Sequence, residues 1–237
     1  KEILNMKEKS LAIQAGILTS AGLTTKIIGF VYRIPMANIL GNTGNGIYSV
    51  AFGIYGIVLT LSSYSMPISV SKLVSEKAAV GSKEDSIKVF RVAMLVSVIV
   101  GALAAMGLYF GADGLAGGYN KTGLEMPLKV LAPTTFIVSV LGCFRGYFQG
   151  YGNMVPTALS QIIEQIINAV VSIIAAGQIT VLIIGSNNEA ALRAMGGTMG
   201  TCAGAMAALV CVMIIYYKNN SGNKIRMSIY YTEVKEI

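Results

Sequence analysis

Six apolar runs alternate along the chain with short polar clusters: Leu11–Ile34, Ile47–Met66, Val89–Phe110, Leu128–Gln149, Thr157–Ile184 and Ala194–Tyr217. A bilayer core about 30 Å thick is crossed by roughly 20 helical residues. Each run is therefore read as a transmembrane helix. The stretches 92–112, 165–188 and 194–217 carry no charge at all, whereas Lys26, Lys129 and Arg145 fall in or beside the first and fourth spans. The intervening segments carry turn chemistry. Gly41–Gly46, Gly111–Gly123, Gly150–Pro156 and Gly185–Asn188 are rich in Gly, Asn or Pro, which supply the dihedrals and helix stops of tight turns. Pro67 closes the second span. Beyond it Ile68–Val80 reads as an amphipathic extension with Lys72 and Lys77 on its wet side. Pro133 is expected to kink the fourth span. Gly142, Gly146 and Gly150 recur every four residues, as do Gly196, Gly200, Gly204 and Ala208. Small ridges of this kind let helices approach closely in lipid. The pattern predicts an all-α integral membrane protein, a six-helix bundle over residues 1–217 with a polar tail, 218–237.

Composition sharpens this reading. The chain is 54% hydrophobic and 12% charged, with a mean hydropathy of +0.66. A soluble domain carries about 25% charged residues, so the surplus apolar surface requires lipid. The net charge is +7, distributed in clusters between the spans. That layout argues for membrane loops, with no nucleic-acid partner. With the N-terminus inside, thirteen basic residues fall on the inner side (Lys1, Lys72, Lys88, Arg91 and Arg145 among them). Four, Arg33, Lys121, Lys129 and Arg193, fall outside. This bias places both termini on the cytoplasmic side of the membrane. The first run is too long for a signal-peptide core and reads as an uncleaved span. Cys143, Cys202 and Cys211 lie inside apolar runs without metal-ligand spacing, and histidine is absent. Neither a zinc site, a disulfide framework nor an enzyme is expected.

Ionisable groups at membrane depth mark candidate chemistry, since each costs at least about 2.5 kcal/mol to insert. Lys26 and Arg33 are seven residues apart. That spacing puts them on one face of the first span, about 10 Å apart along its axis. Two stacked cations suit a polar cavity that receives an anion such as phosphate. Arg33 taken alone reads more readily as a residue snorkelling to the outer interface. On the fifth span Ser160, Glu164, Asn168 and Ser172 recur every four residues, with Gln161 and Gln165 beside them. This stripe is either a cavity wall carrying a proton- or cation-linked carboxylate, or a buried hydrogen-bonded seam with Lys26 as counter-ion. Arg145 reads as an inner topology anchor. There is no nucleophile–base pair, metal cluster or phosphate loop of the GxxxxGK[ST] type.

Several segments carry a family resemblance. Lys26–Pro35 (KIIGFVYRIP), Asn38–Gly41 (NILG), Gly46–Tyr48 (GIY), Pro67–Glu76 (PISVSKLVSE), Arg145–Thr157 (RGYFQGYGNMVPT) and Gln161–Gln165 (QIIEQ) together resemble the stage V sporulation protein B group. The match is ordered and runs from Leu11 to Gln178. That group belongs to the multidrug/oligosaccharidyl-lipid/polysaccharide exporter superfamily and is similar to the lipid II flippases. The resemblance implies one lobe of a two-lobed flippase fold that opens alternately to each side of the membrane. The substrate it implies is an undecaprenyl-pyrophosphate-linked sugar, moved from the inner to the outer leaflet for cell-wall or spore-envelope synthesis. It also implies a substrate-binding role for Lys26, which occupies the position of a cavity-lining cation. Arg33, Glu164, Gln161 and Asn168 complete the candidate set. The partners it implies are the bilayer, a lipid-linked oligosaccharide and a second lobe, supplied by the same polypeptide or by another copy. The tail 218–237 then reads as the start of an inter-lobe linker. No cofactor is expected, and coupling to Na+ or H+ stays open. Two other readings remain: a cation-coupled multidrug or small-molecule exporter, and a non-transporting scaffold of envelope or sporulation complexes.

Overall fold

The structure is a computed structural model that describes the backbone of residues 2–182 and 188–221 and the side chains of residues 12–82, 84–182 and 188–219. The regular elements among them are all helices: α1 (Glu2–Ser62), α2 (Met66–Ala79), α3 (Lys83–Gly118), α4 (Glu125–Gly150), α5 (Val155–Leu182) and α6 (Glu189–Ser221). The turn expected at Gly185–Asn188 lies outside the described residues except for Asn188, as does the tail from residue 222 on.

α1 contains the first two spans. Its backbone leaves the helical region only at Gly41, with φ 65° and ψ 179°. A left-handed φ of this size is cheap only for glycine. The chain folds back there: the hydroxyls of Tyr32 and Tyr48 lie 3.4 Å apart. In a continuous helix, 16 residues would separate them by about 24 Å. Among the described residues five stretches are long and apolar enough to cross a membrane, and the first of them, Ala12–Ala79, thus holds two passes. The bundle makes six.

Several expected boundaries move. The expected turn at Gly41–Gly46 shrinks to one broken residue, because its remaining Gly and Asn residues open the second half of α1. The second span stops at Ser62, and Met66 instead begins α2. α3 continues through Gly111, Gly114, Gly117 and Gly118, so the expected Gly111–Gly123 turn contracts to Tyr119–Leu124. A glycine disfavours a water-exposed helix by about 1 kcal/mol. α6 likewise runs four residues past Tyr217, into the segment read as tail. α4 passes through Pro133 uninterrupted.

Contacts at the two ends fix the alternation of the passes. At one end the Met154 N–H donates to Gln14 Oε1 (3.0 Å), joining the start of α1 to the α4–α5 turn. At the other, Gly44 packs on the Ala190 carbonyl and Gly123 on Ala191, gathering the α1 break, the α3–α4 turn and the start of α6. Both small ridges have partners. Gly142, Gly146 and Gly150 receive Pro67, Val70 and Val74, so α2 lies along the C-terminal half of α4. α2 buries Val70, Val74 and Ala78 and leaves Lys72 and Lys77 exposed, as its amphipathic pattern requires. Gly196, Gly200 and Gly204 receive Ala176, Ser172 and Asn168 of α5.

The start of α3 is capped by Ser82, whose Oγ accepts from the Asp85 N–H (3.3 Å) and whose hydroxyl donates to Asp85 Oδ2 (2.6 Å). The Ser82 hydroxyl thus satisfies one first-turn donor, and the Ser82 N–H donates to the Lys77 carbonyl (3.3 Å). The hydrogen bond from the Ser82 hydroxyl, together with the Lys88 ammonium, holds the Asp85 carboxyl below the usual carboxylate range. A depressed carboxylate contributes stability above its unfolded-state pKa, and that contribution is lost as pH falls through the folded-state value. Ser82→Ala is expected to lower unfolding stability in detergent by about 1 kcal/mol at neutral pH. Thermal denaturation of both forms as a function of pH checks it, the difference narrowing in acid.

Candidate functional site

α5 distributes its polar stripe among three neighbouring helices. On the α4 side, Arg145 Nη2 donates to Glu164 Oε2 (2.7 Å) and Arg145 Nε donates to Ser160 Oγ (3.0 Å). The side chains of Arg145 and Glu164 are 14% and 27% exposed, so this is a largely desolvated, charge-assisted link. α4 and α5 touch each other little: α5 packs mainly on α6, whereas α4 packs on α3 and α6. The long arginine therefore spans a gap that backbone packing leaves. On the α6 side, Ser172 lies within hydrogen-bond distance of Asn168 Oδ1 (3.0 Å) and donates to the Gly197 carbonyl (2.7 Å), while Thr201 donates to Asn168 Oδ1 (3.3 Å). Toward α1, Gln165 sits against Gly29, where an added Cβ would lie 3.1 Å from Nε2.

These positions sort the sequence candidates. Asn168 is buried in the α5–α6 seam. Its bond from Thr201 crosses to α6, which is the packing alternative for that residue. Gln161 is half-buried, and its Oε1 has no hydrogen-bond partner among the described residues. Glu164 is paired with Arg145; Lys26, the counter-ion considered from sequence, does not hold it. Arg145 in turn is more than a topology anchor. The pairing had a sequence signal. Arg145 precedes the end of α4 by five residues and Glu164 follows the start of α5 by nine, so opposite charges sit at comparable depths on either side of one turn.

Lys26 and Arg33 lie on the first half of α1 with exposed side chains. Neither has an ion-pair or hydrogen-bond partner among the described residues. By helical geometry both point about 40–60° to one side of Gly29, the residue that meets Gln165. The two cations thus border the α1–α5 contact and stay free of it. Among the described residues no group of acidic, cysteine or histidine side chains is arranged to hold a metal.

Two further features emerge at the opposite end from Arg145. Arg193, assigned from sequence only to the outer loops, is half-buried on α6. It pairs with Glu189 and its Nη1 donates to the Ile39 carbonyl (3.4 Å), so it caps the first half of α1. Beside it an open pocket of about 340 Å³ lies between the α1 break and the start of α6.

Known proteins with this architecture identify its kind. The fold matches an outward-facing multidrug resistance MATE family transporter of the MOP superfamily, with a TM-score of 0.65 and 15% identity over 89% of this chain and 44% of that one. Lipid II flippase MurJ of Bacillus subtilis (strain 168) is 30% identical over 221 residues, covering 89% of this chain and 40% of the flippase. Stage V sporulation protein B of the same organism is 30% identical over 202 residues, covering 84% and 38% respectively. The chain therefore spans about two fifths of the length of these curated relatives. Residues 11–231 match the family described as polysaccharide biosynthesis protein, and the chain, an all-α multi-pass membrane lobe, belongs to it.

Proposed function

We propose that this lobe takes part in flipping an undecaprenyl-pyrophosphate-linked sugar, lipid II or a related polysaccharide precursor, from the inner to the outer leaflet of a bacterial plasma membrane. The observation that carries the reading is the pair Lys26 and Arg33: two cations on one face of a span, exposed and unpaired. An arginine is always charged, and a lysine or arginine left unpaired in a span is retained where an anion or water meets it. A pyrophosphate bridging two cations stacked about 10 Å apart fits that arrangement. The lobe works by alternating access against a second lobe, from the same polypeptide or another copy, with both termini in the cytoplasm. Family membership and the two flippase-type relatives support this reading. The exporter alternative is weaker. An organic cation needs an available acid at depth, and Glu164 is already neutralised by Arg145.

The test is rescue of cells depleted of their own lipid II flippase, scored as lipid II exposure on the outer leaflet. Expression of the open reading frame encoding this chain is expected to restore exposure. Lys26→Ala/Arg33→Ala at matched expression is expected to restore less than about a tenth of it, since each lost charge-assisted contact is worth about 1.5–3 kcal/mol. Equal rescue by both would remove the cations from the site. No rescue by either, with the protein in the membrane, would favour another lipid-linked sugar or the scaffold role.

A further inference from the structure

The pocket at the α1 break is chemically distinct from the Lys26–Arg33 face. Its volume, about 340 Å³, lies at the lower end of the range of small-molecule sites. Its wall is built from Gly41, Asn42, Thr43 and Gly44 on one side and Glu189 and Arg193 on the other. The break at Gly41 ends one helix and begins another, so last-turn carbonyls and first-turn N–H groups converge on the same small volume. Arg193 takes up one of those carbonyls, that of Ile39. Its Nε is buried with no partner among the described residues. The side chains of Asn42 and Thr43 are exposed and make no hydrogen bond among the described residues.

The charge balance decides the ligand class. Arg193 and Glu189 pair with each other, so the wall carries no net charge to select an anion or an organic cation. What remains is a mixture of neutral donors and acceptors: a carboxamide, a hydroxyl and exposed peptide groups. That mixture matches a ligand bearing several hydroxyl or amide groups. The pocket lies eight residues beyond Arg33, about 12 Å farther along the first span. A substrate whose pyrophosphate meets Lys26 and Arg33 would carry its sugar toward this end of the lobe.

We infer that the pocket at the α1 break is a saccharide subsite, which holds the sugar of a lipid-linked substrate while the cations hold its phosphates. The source of the sugar rests on the flippase reading; the recognition chemistry rests on the pocket alone. The test uses the chain in lipid nanodiscs and the disaccharide of N-acetylglucosamine as probe, with binding read by saturation-transfer NMR. The native chain is expected to give saturable transfer in the millimolar range. In Asn42→Ala/Thr43→Ala, which replaces two exposed side chains, the Kd is expected to rise about tenfold or more, the effect of losing one to two hydrogen bonds. In Lys26→Ala/Arg33→Ala it should be unchanged. Absence of transfer in the native chain overturns the proposal, as does equal binding by Asn42→Ala/Thr43→Ala. Displacement of the probe by inorganic phosphate at equal concentration also overturns it, making the pocket an anion site. If the sugar binds here while cells are not rescued, lipid II is excluded as the substrate and the subsite stands. If rescue succeeds and the sugar does not bind, the reverse holds.

Discussion

Gly204→Ala and Gly200→Ala, single methyl additions, are each expected to reduce the yield of folded protein severely. A Cβ at Gly204 would lie 2.4 Å from the Glu164 carbonyl oxygen, and one at Gly200 would lie 2.1 Å from Ser172 Oγ and 2.4 Å from the Asn168 carbonyl oxygen. The obstructing atoms are largely backbone of α5, so the helices must separate; no flexible side chain can swing away. Overpacking costs about 1–3 kcal/mol where side chains can yield, and here the cost is expected at or above the top of that range. Separation would also lengthen the Thr201–Asn168 and Ser172–Gly197 hydrogen bonds that cross the same seam. Buried groups left unpaired in this way add their own penalty. Gly177→Ala on α5, where nothing lies within 4 Å of an added Cβ, is the matched control and should be nearly neutral. Monodispersity in detergent and thermal unfolding of the three variants decide the point. A Gly204→Ala protein as stable as Gly177→Ala would mean that α5 and α6 do not pack at this distance.

The second large effect is expected at Arg145 and Glu164. Removing one member of a buried ion pair leaves a desolvated charge and costs about 3–5 kcal/mol. Both groups keep some exposure, so Arg145→Leu or Glu164→Leu is expected to fall near the lower end, about 3 kcal/mol. The double variant should lose much less than the sum, because an apolar pair of similar volume leaves no stranded charge. A double-mutant cycle in chemical or thermal unfolding isolates the coupling. Additive losses would show that Arg145 and Glu164 act independently, and would return Arg145 to the role of an inner anchor. The same cycle bears on transport. If the pair only ties α4 to α5, the double variant should retain flippase rescue while each single variant loses it through instability.

The apolar run lengths and the spacing of charged clusters were sufficient to read six passes from sequence. Membrane thickness leaves few alternatives for such runs, because lipid requires every backbone group to be satisfied within a helix. The four-residue small ridges announced close helix contacts for the same local reason: residues at that spacing share a face. The cation face of α1 was legible too, since Lys26 and Arg33 share it through helical geometry alone. Where turns begin was not legible. Glycine permits a break without requiring one, so α3 ran through four glycines while α1 broke at one.

What each ridge and each polar residue meets was decided only by tertiary structure. The spacing of Gly142, Gly146 and Gly150 does not say that α2 fills their groove. One polar stripe on α5 is divided among three neighbours. Asn168 goes into the α6 seam, Gln165 against α1, and Glu164 to an arginine on α4 that local spacing assigned elsewhere. A pair of this kind depends on the position of a second helix, which sequence distance along the chain does not encode. The pocket at the α1 break is the same case on a larger scale. Gly41 supplies the break, but only the approach of α6, carrying Glu189 and Arg193, closes a polar volume around it. Periodicity and insertion cost fixed which faces exist; packing between helices distant in sequence fixed which faces meet.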